Sequence, residues 1–267
     1  MTGRGGPRGA GGRLANGRGC PELSHAFLTL MARHLKWGHV YRFYERVEPL
    51  LNYSVPKEDK PQGSRILVLA PHIDDETIGC GGVMMKHVAA GDRVLIVTVA
   101  DCTPERIAEG RAAGAILGVQ RQEFLPFASK TLIDDPAVAE RLRGFFREES
   151  PDLVYLPALL DRHSDHVALN HLVARLTREE GWGGMIYGYE VWSTLTPNVA
   201  VDITAQRESK AAALACFASQ NRSNNWADAA LSLNRYRGIT TGAGEYAEAF
   251  HRMTPARHRD LIAHLWK

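Results

Sequence analysis

RILVLAPHIDDE, residues 65–76, runs an apolar segment straight into four ionisable side chains: His72, Asp74, Asp75 and Glu76. The first half, Arg65–Ala70, is short, continuous and rich in branched residues, which suits a strand buried on both faces. The second half is costly there, because charged groups at the end of a buried strand must find partners for their desolvation to be offset. A strand that delivers such a cluster places it at the edge of a sheet, and the rest of the chain shows which kind of sheet.

Downstream, Arg93–Ala100 (RVLIVTVA) repeats the strand pattern, and between the two runs Glu76–Ala90 has helical length and stops at Gly91. A glycine just past a helix supplies the left-handed C-terminal conformation at no steric cost. Pro104–Leu117 reads as the next helix, with proline suited to its first turn and Gly118 closing it. Gln122–Phe127 is a third strand, Pro136–Glu149 a third helix and Asp152–Pro157 a fourth strand. A helix from about Val167 to Glu180, strands Met185–Glu190 and Val199–Ile203, and a helix Ala205–Ser219 complete the pattern. Alternating strands and helices of this kind predict an α/β fold: a doubly wound, mostly parallel sheet with helices on both faces. Ligands of such sheets bind beyond the carboxyl ends of the strands, here the residues after Ala70, Ala100, Pro157 and Glu190.

Upstream, the composition changes. Residues 1–20 hold eight glycines and the four arginines Arg4, Arg8, Arg13 and Arg18, with no acid. That segment is too poor in apolar groups to offset its ordering entropy and is expected to be a disordered tail. Residues 21–63 are expected to form a helical extension, from the apolar positions between Phe27 and Tyr44, ending in a polar break over 56–63; residues 64–267 are expected to form the main domain. The net charge of +2 over 267 residues resides in the tail, so the body carries no basic footprint for nucleic acid. No run approaches the ~18 apolar residues of a membrane span. Cys20, Cys80, Cys102 and Cys216 lie far apart without a CxxC pair, which excludes a thiolate zinc ribbon and fits reduced cysteines in a cytoplasmic protein.

The fourth strand leads into a second polar cluster, Asp161-Arg162-His163-Ser164-Asp165-His166. An Asp-Asp pair alone is usually a cap or a solvated turn. Two such clusters, each following a separately inferred buried strand, point instead to a divalent metal. His72 and Asp75 are spaced to converge as strand turns into helix, and Asp74 between them is left free to act as a base. One more ligand from 161–166 completes a two-histidine, one-carboxylate set with a position open to water, the composition of a catalytic zinc site.

PHIDDE at 71–76 and HSDH at 163–166 resemble the signatures of the LmbE/PIG-L-like zinc-dependent N-deacetylases. Arg106, Glu109 and Leu117-Gly118-Val119 are similar to a further family motif, and Tyr246–Phe250 to a C-terminal stretch. The likeness spans roughly residues 65–250. It implies a Rossmann-like fold, Zn²⁺ held by His72, Asp75 and His166, Asp74 as general base, and His163 acting at the scissile amide. It implies contact between Arg106 and sugar hydroxyls; otherwise Arg106 would pair with Glu109 on an open helix face. Asp165 is expected either to orient His163 or to cap the following helix. Ile73 and Ser164 replace the usual prolines, and Phe217 stands where many members carry a histidine.

The expected activity is hydrolysis of an N-acetyl, or other N-acyl, group on a glucosamine-type conjugate, such as a glycopeptide antibiotic. Trp182, Tyr187, Tyr189, Trp192 and Trp226 are candidates for a wall against a bulky aglycone. The competing readings are a metal-dependent phosphohydrolase, which lacks a glycine-rich phosphate loop here, and a carbohydrate-binding protein with a structural metal. The latter has no use for a buried carboxylate that binds no metal. The oligomeric state is open.

Overall fold

The structure is a computed structural model that describes residues 39, 42–43, 46–47, 54–222 and 225–265. The chain divides into two compact units, Met1–Tyr53 and Ser54–Lys267. The expected tail lies outside the described residues, as does most of the helical extension, of which residues 39, 42–43 and 46–47 are helical.

The second unit is built on eight strands: β1 (Lys57–Glu58), β2 (Arg65–Ala70), β3 (Arg93–Ala100), β4 (Arg121–Phe127), β5 (Leu153–Pro157), β6 (Met185–Tyr189), β7 (Val199–Asp202) and β8 (Ala247–Met253). Its helices are α1 (Asp75–Ala89), α2 (Pro104–Leu117), α3 (Pro136–Glu149), α4 (Ser164–Glu179), α5 (Arg207–Ala215), α6 (Ala218–Asn221), α7 (Trp226–Thr241) and α8 (Pro255–Leu265). The strand order is β1-β7-β8-β6-β5-β2-β3-β4. Pairing is parallel from β6 through β5, β2 and β3 to β4, whereas β8 runs antiparallel to both β6 and β7. The expected mostly parallel α/β sheet is present, and strand order reverses between β2 and β5. That places the two polar clusters side by side at the switch point, where open α/β sheets bind ligands.

Successive residues of each strand point to opposite faces. Leu67, Leu69, Leu95 and Val97 therefore pack with Phe145, Leu169 and Leu172 on one side. Ile66, Val68, Ile96 and Tyr155 pack with Val83, Met84 and Leu117 on the other.

Differences from the sequence reading are local. α4 starts at Ser164, so Asp165 and His166 lie in its first turn. The long helix expected over 205–219 is instead a 3₁₀ turn, α5 and the short α6. The polar break over 56–63 contributes β1, which pairs with β7. α7, β8 and α8 come from a stretch with little periodicity.

α1 passes close to the sheet because it lacks side chains where it crosses. A Cβ on Gly79 would lie 2.1 Å from the Tyr189 ring, and one on Gly82 would lie 2.6 Å from Ile203. Between them Cys80 leaves helical geometry (φ −144°, ψ 20°). The backbone groups freed there are taken up by a buried ion pair. Glu248 accepts from the Gly82 and Val83 amides at 2.7 and 2.8 Å, and Lys210 Nζ donates to the Ile78 carbonyl at 2.8 Å.

Candidate active site

His72, Asp74 and Asp75 occupy the turn from β2 into α1, where the chain must reverse from extended to helical within four residues. Asp74 takes the strain: its φ is 125°, a region L side chains rarely adopt. Such a conformation costs about 1–3 kcal/mol and persists where the surroundings impose it. Here the Asp74 amide donates to Glu76 Oε2 at 3.2 Å and its carbonyl accepts from the Ile78 amide at 2.9 Å. The second cluster lies in the loop after β5 and the first turn of α4. There His163 is the N-cap, its Nδ1 accepting from the Asp165 amide at 3.3 Å.

The structure brings together His72, His163 and His166, each with a ring nitrogen within 4.8 Å of the others. Asp75 completes the centre. Its Oδ2 lies 3.3 Å from His72 Nδ1 and 3.1 Å from His166 Nε2. The opposite nitrogen of each imidazole meets its own carboxylate: His72 Nε2 lies 3.0 Å from Asp165 Oδ2, and His166 Nδ1 lies 3.2 Å from Asp161 Oδ2. An outer carboxylate that takes the second N–H of a histidine is the usual partner of a metal-ligating imidazole.

The residues fit a divalent metal on two counts. Both His166 nitrogens are buried yet make no hydrogen bond, since the neighbouring carboxylates are near but poorly aligned. A buried unmade hydrogen bond costs roughly 1–3 kcal/mol, and a cation accepting the Nε2 lone pair relieves it. The electrostatics agree. Burial pulls both imidazoles down, but Asp165 and Asp75 hold His72 up at about 10, and Asp75 and Asp161 hold His166 up at about 9. Burial raises Asp75, but His166 and His72 outweigh it and hold it below the ordinary carboxylate range. These side chains pair with protons in the absence of a cation, and a cation would replace those protons.

Asp74 is also buried; burial first, then the charges of Asp75 and Glu76, push its carboxyl well up. His163 is different. Burial and then the two other histidines lower it, and because its Nδ1 accepts a hydrogen bond, its N–H is on Nε2.

Two expectations for single residues are corrected. Asp165 does not cap α4, since His163 does. Nor does its carboxylate hydrogen-bond His163, whose Nδ1 lies 3.9 Å from Asp165 Oδ2 and accepts the Asp165 amide instead. It bonds His72, Ser129 Oγ at 2.6 Å and the Lys130 amide at 2.7 Å. The Arg106–Glu109 pair is absent as well, because Glu109 accepts from the Ser219 amide and hydroxyl at 2.7 and 2.6 Å. Arg106 turns instead to Gln220 (3.5 Å) and Asp101 (4.0 Å).

The cleft above this centre has a volume of about 210 Å³. One wall is polar (Asp101, Arg106, Ser129, Gln220) and the other apolar (Ile78, Val191, Trp192, Trp226), with His72, Asp74, Asp75 and His163 at the floor. Of the five aromatics named from the sequence, only Trp192 and Trp226 line it. Tyr187 and Tyr189 are core residues, and Trp182 packs on Phe146 and donates to the Pro151 carbonyl. The sequence reading left Asp161, Ser129, Asp101 and Gln220 without roles. Asp161 stood inside the quoted cluster, but the other three carry no motif and meet only through the fold.

The family model described as "PIG-L: GlcNAc-PI de-N-acetylase" matches residues 67–177, which include both polar clusters. Among solved structures, the conserved protein TT1542 from Thermus thermophilus is 29% identical. The match covers 70% of this chain and 93% of that one, with a TM-score of 0.63. N,N'-diacetylchitobiose deacetylase from Pyrococcus horikoshii is 22% identical over 86% of this chain and 96% of its own, with a TM-score of 0.64. GalB, the 4-carboxy-2-hydroxymuconate hydratase of Pseudomonas putida, is 23% identical over 70% and 95%, with a TM-score of 0.60. The last two show the fold alone, and the reactions in their names differ; the chemistry has to be argued from the site.

Proposed function

We propose that this chain, whose residues 67–177 match the PIG-L de-N-acetylase family model, hydrolyses the N-acetyl amide of a glucosamine-type conjugate and uses zinc to do so. The observation that carries this reading is the convergence of His72 Nδ1 and His166 Nε2 on one oxygen of Asp75, at the floor of a cleft with one polar and one aromatic wall.

His72, Asp75 and His166 would hold the metal. Zinc bound there supplies Lewis acidity toward an amide carbonyl and makes water acidic enough to react near neutral pH. Asp74 lines the cleft beside His72 and Asp75 and would take the proton of the attacking water. The Nε2–H of His163 is the donor toward the oxygen that gains charge as the carbonyl becomes tetrahedral, or toward the departing amine. Asp165 and Asp161 fix the ring planes of the two ligand imidazoles. On the polar wall, Arg106 would donate to neighbouring sugar hydroxyls and Gln220 would donate to or accept from them, the guanidinium fork suiting two closely spaced oxygens. A glycopeptide antibiotic is one conjugate of this class, and a cytoplasmic setting belongs to the same proposal.

Acetate release is the test. Purified protein is incubated with N-acetylglucosamine, its phenyl β-glycoside and N,N'-diacetylchitobiose, and acetate, free amine and bound metal are quantified. One acetate per free amine is expected, lost on chelation and restored by Zn²⁺. A zinc-loaded protein that releases no acetate from any N-acyl sugar, yet hydrates a carbon–carbon double bond, would replace this reading with that of the hydratase.

A further inference from the structure

The aromatic wall touches the histidine cluster on one side and is held on the other by residues outside that cluster. Trp192 lies in the loop after β6 and Trp226 opens α7; their rings meet edge to face with centroids 4.8 Å apart. Trp192 also stacks on His163 at 6.0 Å, and its amide donates to Asp161 Oδ2 at 3.1 Å. The loop is then fastened at its base. The Leu195 amide donates to Glu190 Oε1 at 2.8 Å, and the Leu195 carbonyl accepts from Arg237 Nη2 at 2.7 Å. Arg237 also grips Glu190 with two donors, Nε to Oε2 at 3.0 Å and Nη2 to Oε1. Both side chains are at least nine-tenths buried, and Arg237 lies on the helix that begins with Trp226. One buried fork therefore ties residues 190–195 to α7 and sets the two indoles against each other.

Such a pair is a poor source of stability, since apolar residues of similar size usually do as well in its place. What it fixes here is a position. The cleft is also smaller than the ~300–1,000 Å³ that encloses a drug-sized ligand. It can take the reacting part of a conjugate, and the remainder must rest at the mouth, where Trp192 is half exposed.

We propose that Arg237 and Glu190 are positioning residues for Trp192, and that Trp192 with Trp226 is a stacking surface for the flat apolar part of the substrate attached to the N-acetylated sugar. An aryl ring or the C–H face of a second sugar has that chemistry. This inference rests on the deacetylase reading for its turnover readout and deepens it to a substrate class.

The test compares kcat/KM for N-acetylglucosamine, phenyl N-acetyl-β-glucosaminide and N,N'-diacetylchitobiose. Wild type should favour a conjugate over the free sugar by about 10-fold, the scale of one good aromatic stack with its area. The phenyl arm leading marks an aryl aglycone, and the disaccharide arm leading marks a second sugar. Trp192→Ala should bring the ratio close to one. The double variant Arg237→Met with Glu190→Met keeps the site filled and apolar, so it should fold and bind zinc yet still lose the ratio, whereas a purely structural pair would let it keep the ratio. A wild-type ratio near one, or a ratio unmoved in both variants, overturns the proposal. Calorimetric binding of phenyl β-glucosaminide, the de-acetylated amine, separates the two readings. Affinity that falls in Trp192→Ala, with no acetate released from any substrate, leaves the wall standing and removes the deacetylase.

Discussion

Asp161 Oδ2 lies 3.2 Å from His166 Nδ1, with both side chains fully buried, and the same oxygen accepts the Trp192 amide at 3.1 Å. One carboxylate therefore sits against the imidazole proposed as a metal ligand and anchors the loop that forms the cleft's aromatic wall. Asp161→Asn retains the shape and removes the charge. It should weaken zinc binding by about 10–100-fold, as loss of such outer partners does. Competition with a chromophoric chelator reads this directly, and unchanged zinc affinity would reduce Asp161 to a loop anchor.

Asp74→Asn should leave about one zinc per chain while abolishing acetate release, because it removes the base and spares the ligands. Metal analysis beside turnover decides the matter; loss of zinc together with activity would make Asp74 a ligand. His166→Ala, by contrast, should lose the zinc itself.

Arg106→Ala should lower kcat/KM on an N-acetyl sugar by more than ~10-fold, about 1.4 kcal/mol, with zinc content unchanged. The helix-face pairing that would have made Arg106 inert is excluded by the Glu109–Ser219 contact. Kinetics equal to wild type would mean that the polar wall does not touch substrate.

Lys210→Met should destabilise the domain by about 3–5 kcal/mol, because it leaves Glu248 charged, buried and short of a partner at the kink of α1. Urea unfolding measures this. Replacing Lys210 and Glu248 together should not restore full stability, since the Gly82 and Val83 amides would then lack an acceptor. Recovery to the wild-type midpoint would show that the kink does not need the pair.

Stability should fall between about pH 6.5 and 4 through His87. Its ring is buried on α1, with Nε2 on the Tyr155 hydroxyl at 2.9 Å and Nδ1 on Asp92 Oδ2 at 2.7 Å. Burial pulls its pKa down to about 4, although the Asp92 hydrogen bond pulls the other way. Unfolded, it titrates near 6.5, so in that window the unfolded chain binds the extra proton and acid favours unfolding. The contribution is complete above pH 6.5 and reaches roughly 3 kcal/mol lost by pH 4. His258, also lowered to about 4 by burial, acts with the same sign. His87→Gln should flatten part of the slope of unfolding free energy against pH, and a parallel slope would refute the assignment.

By itself the sequence determined the order and kind of the strands and helices from Arg65 to Asp202, within one residue except at the start of α4, because a parallel sheet buried on both faces requires unbroken apolar runs and proline or glycine marks an end of most of its helices. It also marked the two charged clusters as a candidate metal site, since two such clusters each following such a run have few structural explanations, while the choice of ligands within them rested on the family resemblance. α7, β8 and α8 were not legible. β8 is antiparallel between two partners, and α7 has apolar residues on no single stripe, so neither shows a clean period. Only the tertiary structure decided which carboxylate serves which histidine. Asp165 is one residue from Ser164 and two from His163, yet it bonds His72, 93 residues away, because β2 and β5 are neighbours in the sheet. The cleft walls are of the same kind: Asp101, Ser129 and Trp192 come from three separate loops and turns and Gln220 from α6, and sequence periodicity records local pairing but not which strand ends a sheet sets side by side.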